Sequence, residues 1–201
     1  RTDSSAASDV YKRQDLILYV HGWNSHAYAR KAKLIESELK NHEVFETSSI
    51  TLRNHPREVI NQLTEYISEK QNEYNVHLVG SSLGGYYSVF LAETLNLKAT
   101  MINPAVWAYK IFENDRGENE NPNTGEKYFI DQDWVDSLEE IFVENPTPNR
   151  YLVLLQTGDE TLDYKYAEKY FSGSTIVIDE GGSHSFDGLE QKIPQILLHF
   201  S

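Results

Sequence analysis

A run of strand formers, Val76-His77-Leu78-Val79, passes without a spacer into Gly80-Ser81-Ser82-Leu83-Gly84 and then into a helix-like stretch from Leu83 to Leu95. Few folds accommodate that succession. The turn between strand and helix is so tight that one residue enters a sparsely populated backbone region, and G-x-S-x-G places a serine there, Ser82. Glycines on either side remove the Cβ atoms that would collide where strand and helix meet. The helix start leaves free N–H groups beside the hydroxyl. Such a turn points to an exposed nucleophile, and it carries weight once an acid and a base stand in matching contexts elsewhere.

Both are present. Leu152-Val153-Leu154-Leu155-Gln156 ends in Thr157-Gly158-Asp159-Glu160, and Thr175-Ile176-Val177-Ile178 is closed by Asp179-Glu180-Gly181-Gly182-Ser183-His184. Each is a strand followed by a loop, and the chain order Ser, acid, His is that of α/β-hydrolases. Asp159 is the candidate acid and His184 the candidate base. Asp163 is a reserve acid, although its position at a helix start suits a first-turn cap. Another strand, Leu16 to Val20, runs into His21-Gly22-Trp23-Asn24-Ser25. The loop after this strand supplies one N–H of an oxyanion hole and the residue after the nucleophile supplies the other, which assigns Trp23 and Leu83. His21 is expected to be structural, because the base in this fold comes from the loop after the last strand.

From Asp15 onward, strand-like and helix-like segments alternate. Strands are predicted near 16–20, 47–52, 76–80, 98–102, 151–156 and 174–178. Helices are predicted over 28–40, 57–74, 83–95, 163–171 and 186–200. The pattern gives a compact α/β-hydrolase fold, a six-stranded, mainly parallel sheet with helices on both faces. Right-handed crossovers put every strand C-terminus at one edge, which gathers the loops carrying Trp23, Ser82, Asp159 and His184. A chain of 201 residues suits a single domain, expected over 15–201. Residues 1–14 are small, polar and aperiodic, lack the apolar stretch of a signal peptide, and resemble translated sequencing-adapter read-through. They are expected to form a tail that packs on nothing.

Composition narrows the function classes. A net charge of −13 disfavours nucleic acid and anionic membrane surfaces. No segment approaches the ~20 apolar residues of a membrane span. With no cysteine, disulfides, Cys-ligated zinc and a cysteine nucleophile are excluded, and a cytoplasmic location is compatible.

One stretch, about 105–150, breaks the alternation and includes the polar run from Asn114 to Gly125. An insertion here is expected to form a short cap over the site. Two readings fit its aromatics, Trp107, Tyr109, Phe112, Tyr128, Phe129 and Trp134: they line an acyl pocket, or they pin the insertion to the sheet. Asp131, Asp133, Asp136, Glu139 and Glu140 are expected on a solvated helix face and not at a metal.

Several loop strings are more discriminating than the serine motif: HGWNS at 21–25, VGSSLGGYYS at 79–88, NPAV at 103–106, NENPNTGEKY at 119–128, TGDETLDY at 157–164 and GGSHSF at 181–186. From about Leu16 to the C-terminus the chain resembles the YqiA-like family of small bacterial α/β-hydrolase esterases. The resemblance implies a hydrolase that begins at the strand before the HG loop, acting on short acyl esters and on acyl-CoA thioesters. It maps the nucleophile to Ser82, the acid to Asp159 and the base to His184. Trp23 stands where such loops often carry Phe, making the mouth of the pocket bulkier. The expected activity is that of a serine esterase working through an acyl-enzyme on a small-molecule substrate, with no metal or organic cofactor. The alternative is a non-catalytic module of the same fold that binds an acyl group or a partner protein at the same edge.

Overall fold

Apolar runs without polar alternation make strands covered on both faces, and β1 (Gln14–Val20) is of this kind, buried at every position after its first. The computed structural model describes residues 13–201. After β1 come α1 (Arg30–Leu39), β2 (Phe45–Ser49), α2 (Pro56–Lys70), β3 (Tyr74–Ser81), α3 (Leu83–Leu95) and β4 (Ala99–Ile102). The region of the expected insertion holds α4 (Ala108–Phe112), β5 (Gly117–Glu120), β6 (Lys127–Ile130) and α5 (Gln132–Glu140). The chain closes with β7 (Tyr151–Gln156), α6 (Tyr164–Tyr170), β8 (Thr175–Asp179) and α7 (Ile193–Phe200).

Six strands form one sheet in the order β2-β1-β3-β4-β7-β8, every pair parallel. The two-residue period of a strand splits β1 between two cores. Leu16, Leu18 and Val20 face a large core with Val59, Leu63 and Ile67 of α2 and Leu91 of α3. Ile17 and Tyr19 face a smaller one with Ile35 and Leu39 of α1 and Ile193, Ile196 and Phe200 of α7. Helices on both faces leave only the sheet's two ends open, and the loops after β1, β3, β7 and β8 share one of them.

The α/β-hydrolase fold read from the sequence is the fold observed, with shifted boundaries. Of the tail expected over 1–14, residues 1–12 lie outside the described residues. Gln14 belongs to β1 and pairs with Tyr74, and the Arg13 guanidinium donates to the Gln71 carbonyl at 3.0 Å. The helix expected to run to Tyr74 ends at Lys70, since Tyr74 opens β3. The last helix starts at Ile193 and not at Phe186, which has φ 62° and cannot continue a helix. A 3-10 turn, Leu189–Lys192, leads into it.

Candidate active site

Ser82 joins β3 to α3 with φ 54° and ψ −125°, a conformation that side-chain-bearing residues seldom adopt. Its neighbours must be glycine. A Cβ on Gly84 would sit 2.1 Å from the Val20 carbonyl oxygen and 2.4 Å from that of His21. One on Gly80 would sit 2.5 Å from Ser88 Oγ and 2.7 Å from the Gly84 carbonyl oxygen. The turn is held from below, where Ser82 N–H donates to the Ile102 carbonyl, and from beside, where Ala105 N–H donates to the Ser82 carbonyl.

The structure brings Ser82, His184 and Asp159 into one chain of contacts. His184 Nε2 lies 3.1 Å from Ser82 Oγ, and His184 Nδ1 lies 2.8 Å and 3.0 Å from the two carboxylate oxygens of Asp159. Facing a carboxylate, Nδ1 carries the proton, which leaves the Nε2 lone pair for the serine hydroxyl. Burial of Asp159 opposes its ionisation. The hydrogen bond from His184 and those from the Leu162 and Thr161 amides outweigh that cost and hold the carboxyl below its ordinary range.

The His184 loop is anchored by residues to which the sequence assigned no role. Asn103, buried and left-handed at φ 41°, donates from Nδ2 to the Ser183 carbonyl and accepts from Gln156 N–H at Oδ1. Gln156, also buried, accepts from the Ser183 and Asp187 amides at Oε1 and donates to the Asp187 carbonyl. Glu160 accepts the backbone N–H of His184 itself. The available signal was their position: polar residues ending or following apolar strands at the edge where the candidate residues gather.

Gly22 passes so close to the nucleophile that a Cβ there would lie 3.0 Å from Ser82 Cβ. Next to it, the N–H groups of Trp23 and Leu83, expected as the oxyanion donors, have no protein acceptor among the described residues. His21 is structural. Its Nδ1 donates to the Gly22 carbonyl and its Nε2 accepts from Leu52 N–H, using both ring nitrogens of the neutral imidazole.

The insertion expected as a cap contributes nothing to the lining of the cavity at the nucleophile. A cavity of about 250 Å3 reaches Ser82 and His184, and no residue of 105–150 lines it. Instead the insertion braces the HG loop. Trp23 Nε1 donates to Tyr128 Oη at 2.6 Å, Tyr128 Oη donates to Asn24 Oδ1, and Asn123 Nδ2 donates to the Asn24 carbonyl. None of the six aromatics lines the cavity that reaches Ser82. Phe112 and Trp134 are core residues with rings 4.8 Å apart, Phe129 is exposed, and Trp107 lines an apolar cavity of about 290 Å3 with Ile111, Leu162 and Tyr166. The acidic run has structural employment: Asp131 caps α5, while Asp133 and Glu140 pair with Arg57. Asp163 caps α6. Among the described residues no group of three His, Cys, Asp or Glu side chains is arranged to hold a metal.

The family model of the uncharacterised protein family UPF0227, the YcfP/YqiA family, matches residues 16–201. The chain belongs to this family. Among its UPF0227 relatives is the YcfP protein of Salmonella gallinarum, 26% identical over 187 residues that cover 90% of this chain and 96% of the relative. Solved structures share the fold at lower identity. Est1E from Butyrivibrio proteoclasticus, with ferulic acid bound, superposes with a TM-score of 0.75 at 15% identity, covering 94% of this chain and 90% of its own. XC6422 from Xanthomonas campestris, described as an α/β serine hydrolase without lid, gives 0.60 at 15% identity, covering 94% and 83%. No helix among the described residues is long and apolar enough to cross a membrane.

Proposed function

We propose that this UPF0227 protein is a serine hydrolase that cleaves small acyl esters, thioesters included, through an acyl-enzyme on Ser82. The observation that carries this is the relay from hydroxyl to imidazole to carboxylate, with His184 Nε2 3.1 Å from Ser82 Oγ and Nδ1 2.8 Å from Asp159 Oδ2. Esterase and serine-hydrolase descriptions among proteins of the same fold support the reading.

Ser82 Oγ attacks the acyl carbonyl as His184 Nε2 takes its proton, and Asp159 holds the ring and stabilises the imidazolium. The tetrahedral oxyanion is met by the Trp23 and Leu83 N–H groups. As the C–O or C–S bond breaks, His184 returns the proton to the leaving alcohol or thiol. Water, deprotonated by the same imidazole, then attacks the Ser82 ester and releases the acid. An unspent hydroxyl, base and donor pair set this reading above a mere binding module. Ser82→Ala is expected to lower kcat for p-nitrophenyl acetate by at least about a thousandfold while the melting temperature is kept. Wild-type turnover in that variant would overturn the assignment.

A further inference from the structure

In a chain whose acidic residues outnumber its lysines and arginines by 31 to 18, the cavity that reaches Ser82 and His184 is lined by Arg30 and Lys31 and by no carboxylate. Lys31 is half-buried, and among the described residues neither cation forms an ion pair or a side-chain hydrogen bond with the protein. Taking an ammonium out of water without a counter-ion is unfavourable. Burial, and then the neighbouring Arg30, pull Lys31 below the ordinary lysine range, against a weaker opposing pull from Asp159. A half-buried Lys31 beside an exposed Arg30, both lining the cavity, fits a negative charge that arrives with the substrate.

Proton transfer decides which part of the substrate carries that charge. The leaving atom must receive its proton from His184 Nε2, so the leaving group departs on the imidazole side of Ser82. His184 and Ser185 line the same cavity as Arg30 and Lys31, so a charge on a group that leaves beside the imidazole shares its cavity with these two cations. The apolar cavity around Trp107 and Leu162 contains no part of Ser82 or His184.

We propose that Arg30 and Lys31 form an anion subsite for the leaving group, so that the preferred substrates are acyl esters or thioesters of an alcohol or thiol bearing a phosphate, sulfonate or carboxylate. This rests on the serine-hydrolase reading above. The guanidinium offers a planar fork and the ammonium a point charge, a pair suited to tetrahedral and planar anions alike.

The test uses three acyl esters: phenyl acetate, neutral throughout; 4-sulfophenyl acetate, anionic in the leaving group; and phenyl hydrogen succinate, anionic in the acyl part. In the double variant Arg30→Gln/Lys31→Gln, the kcat/KM ratio of 4-sulfophenyl acetate to phenyl acetate is expected to fall about tenfold from wild type, the size of one lost charge-assisted contact. The swapped variant Arg30→Lys/Lys31→Arg is expected to retain most of the ratio. Added 4-hydroxybenzenesulfonate is expected to inhibit wild type competitively and the double variant at least about fivefold more weakly. Equal losses on all three esters would overturn the subsite and make Lys31 a counter-charge for Asp159. A loss confined to phenyl hydrogen succinate would overturn the leaving-group placement. Failure of the wild-type protein to hydrolyse any of the three would instead strike the serine-hydrolase reading itself.

Discussion

Ser82 at φ 54° stores strain of order 1–3 kcal/mol, and the surrounding contacts of Gly80, Gly84 and Ala105 impose it. That strain was legible because G-x-S-x-G between strand and helix has few physical solutions. Asn103 and Gln156 were not legible as anchors, since a buried amide acquires its partners only when distant loops converge, and no local spacing encodes that. Three histidines have an opposite kind of cost. Burial, ahead of every other influence, lowers His21, His77 and His199 from the ordinary imidazole value of about 6.5. Their folded forms resist protonation while the unfolded chain accepts it, so below about pH 6.5 the unfolded state binds more protons and stability falls as pH falls. The melting temperature is expected to drop between pH 7.5 and 5.5 by at least a few degrees, at about 2–4 °C per kcal/mol for a domain of this size. A calorimetric scan with a flat profile across that window would contradict this.

The β5–β6 hairpin is the element whose role the sequence concealed. Gly117–Glu120 is polar after its glycine, and Lys127–Ile130 turns only Tyr128 and Ile130 inward, too short a run to read as a strand. Docking stabilises them: Tyr128 and Asn123 grip Trp23 and Asn24, which explains why a polar string with no core to fill is so specific. Long apolar strands were legible to within a few residues, because burial on two faces leaves a continuous signature. Tyr128→Phe removes the acceptor for the Trp23 indole N–H and the donor to Asn24, loosening the loop that presents the Trp23 N–H. Complete loss of one oxyanion donor costs about 10²–10³ in rate, so a displaced one is expected to cost about tenfold in kcat, with KM nearly constant. Steady-state kinetics of Tyr128→Phe on p-nitrophenyl acetate would read this, and an unchanged kcat would show that the hairpin does not position the Trp23 N–H.

Across the molecule, one geometric rule converts sequence separation into contact. With every pair in the main sheet parallel, the loops after β1, β3, β7 and β8 emerge at the same edge, which is how residues 82, 159 and 184 meet. That convergence was legible from the alternation of strands and helices alone. The placement of charge was not: a net −13 describes the whole surface, while Arg30 and Lys31 turn the wall of one cavity positive, and only tertiary packing selects which cations face it. On the proposed function the Ser82 oxygen is an activated nucleophile. A fluorophosphonate probe incubated with the folded wild-type protein, followed by peptide mass spectrometry, tests it most directly. A single covalent phosphonyl adduct on Ser82, abolished in Ser82→Ala, is expected; an unmodified Ser82, or equal labelling of the alanine variant, would show that the hydroxyl is not activated.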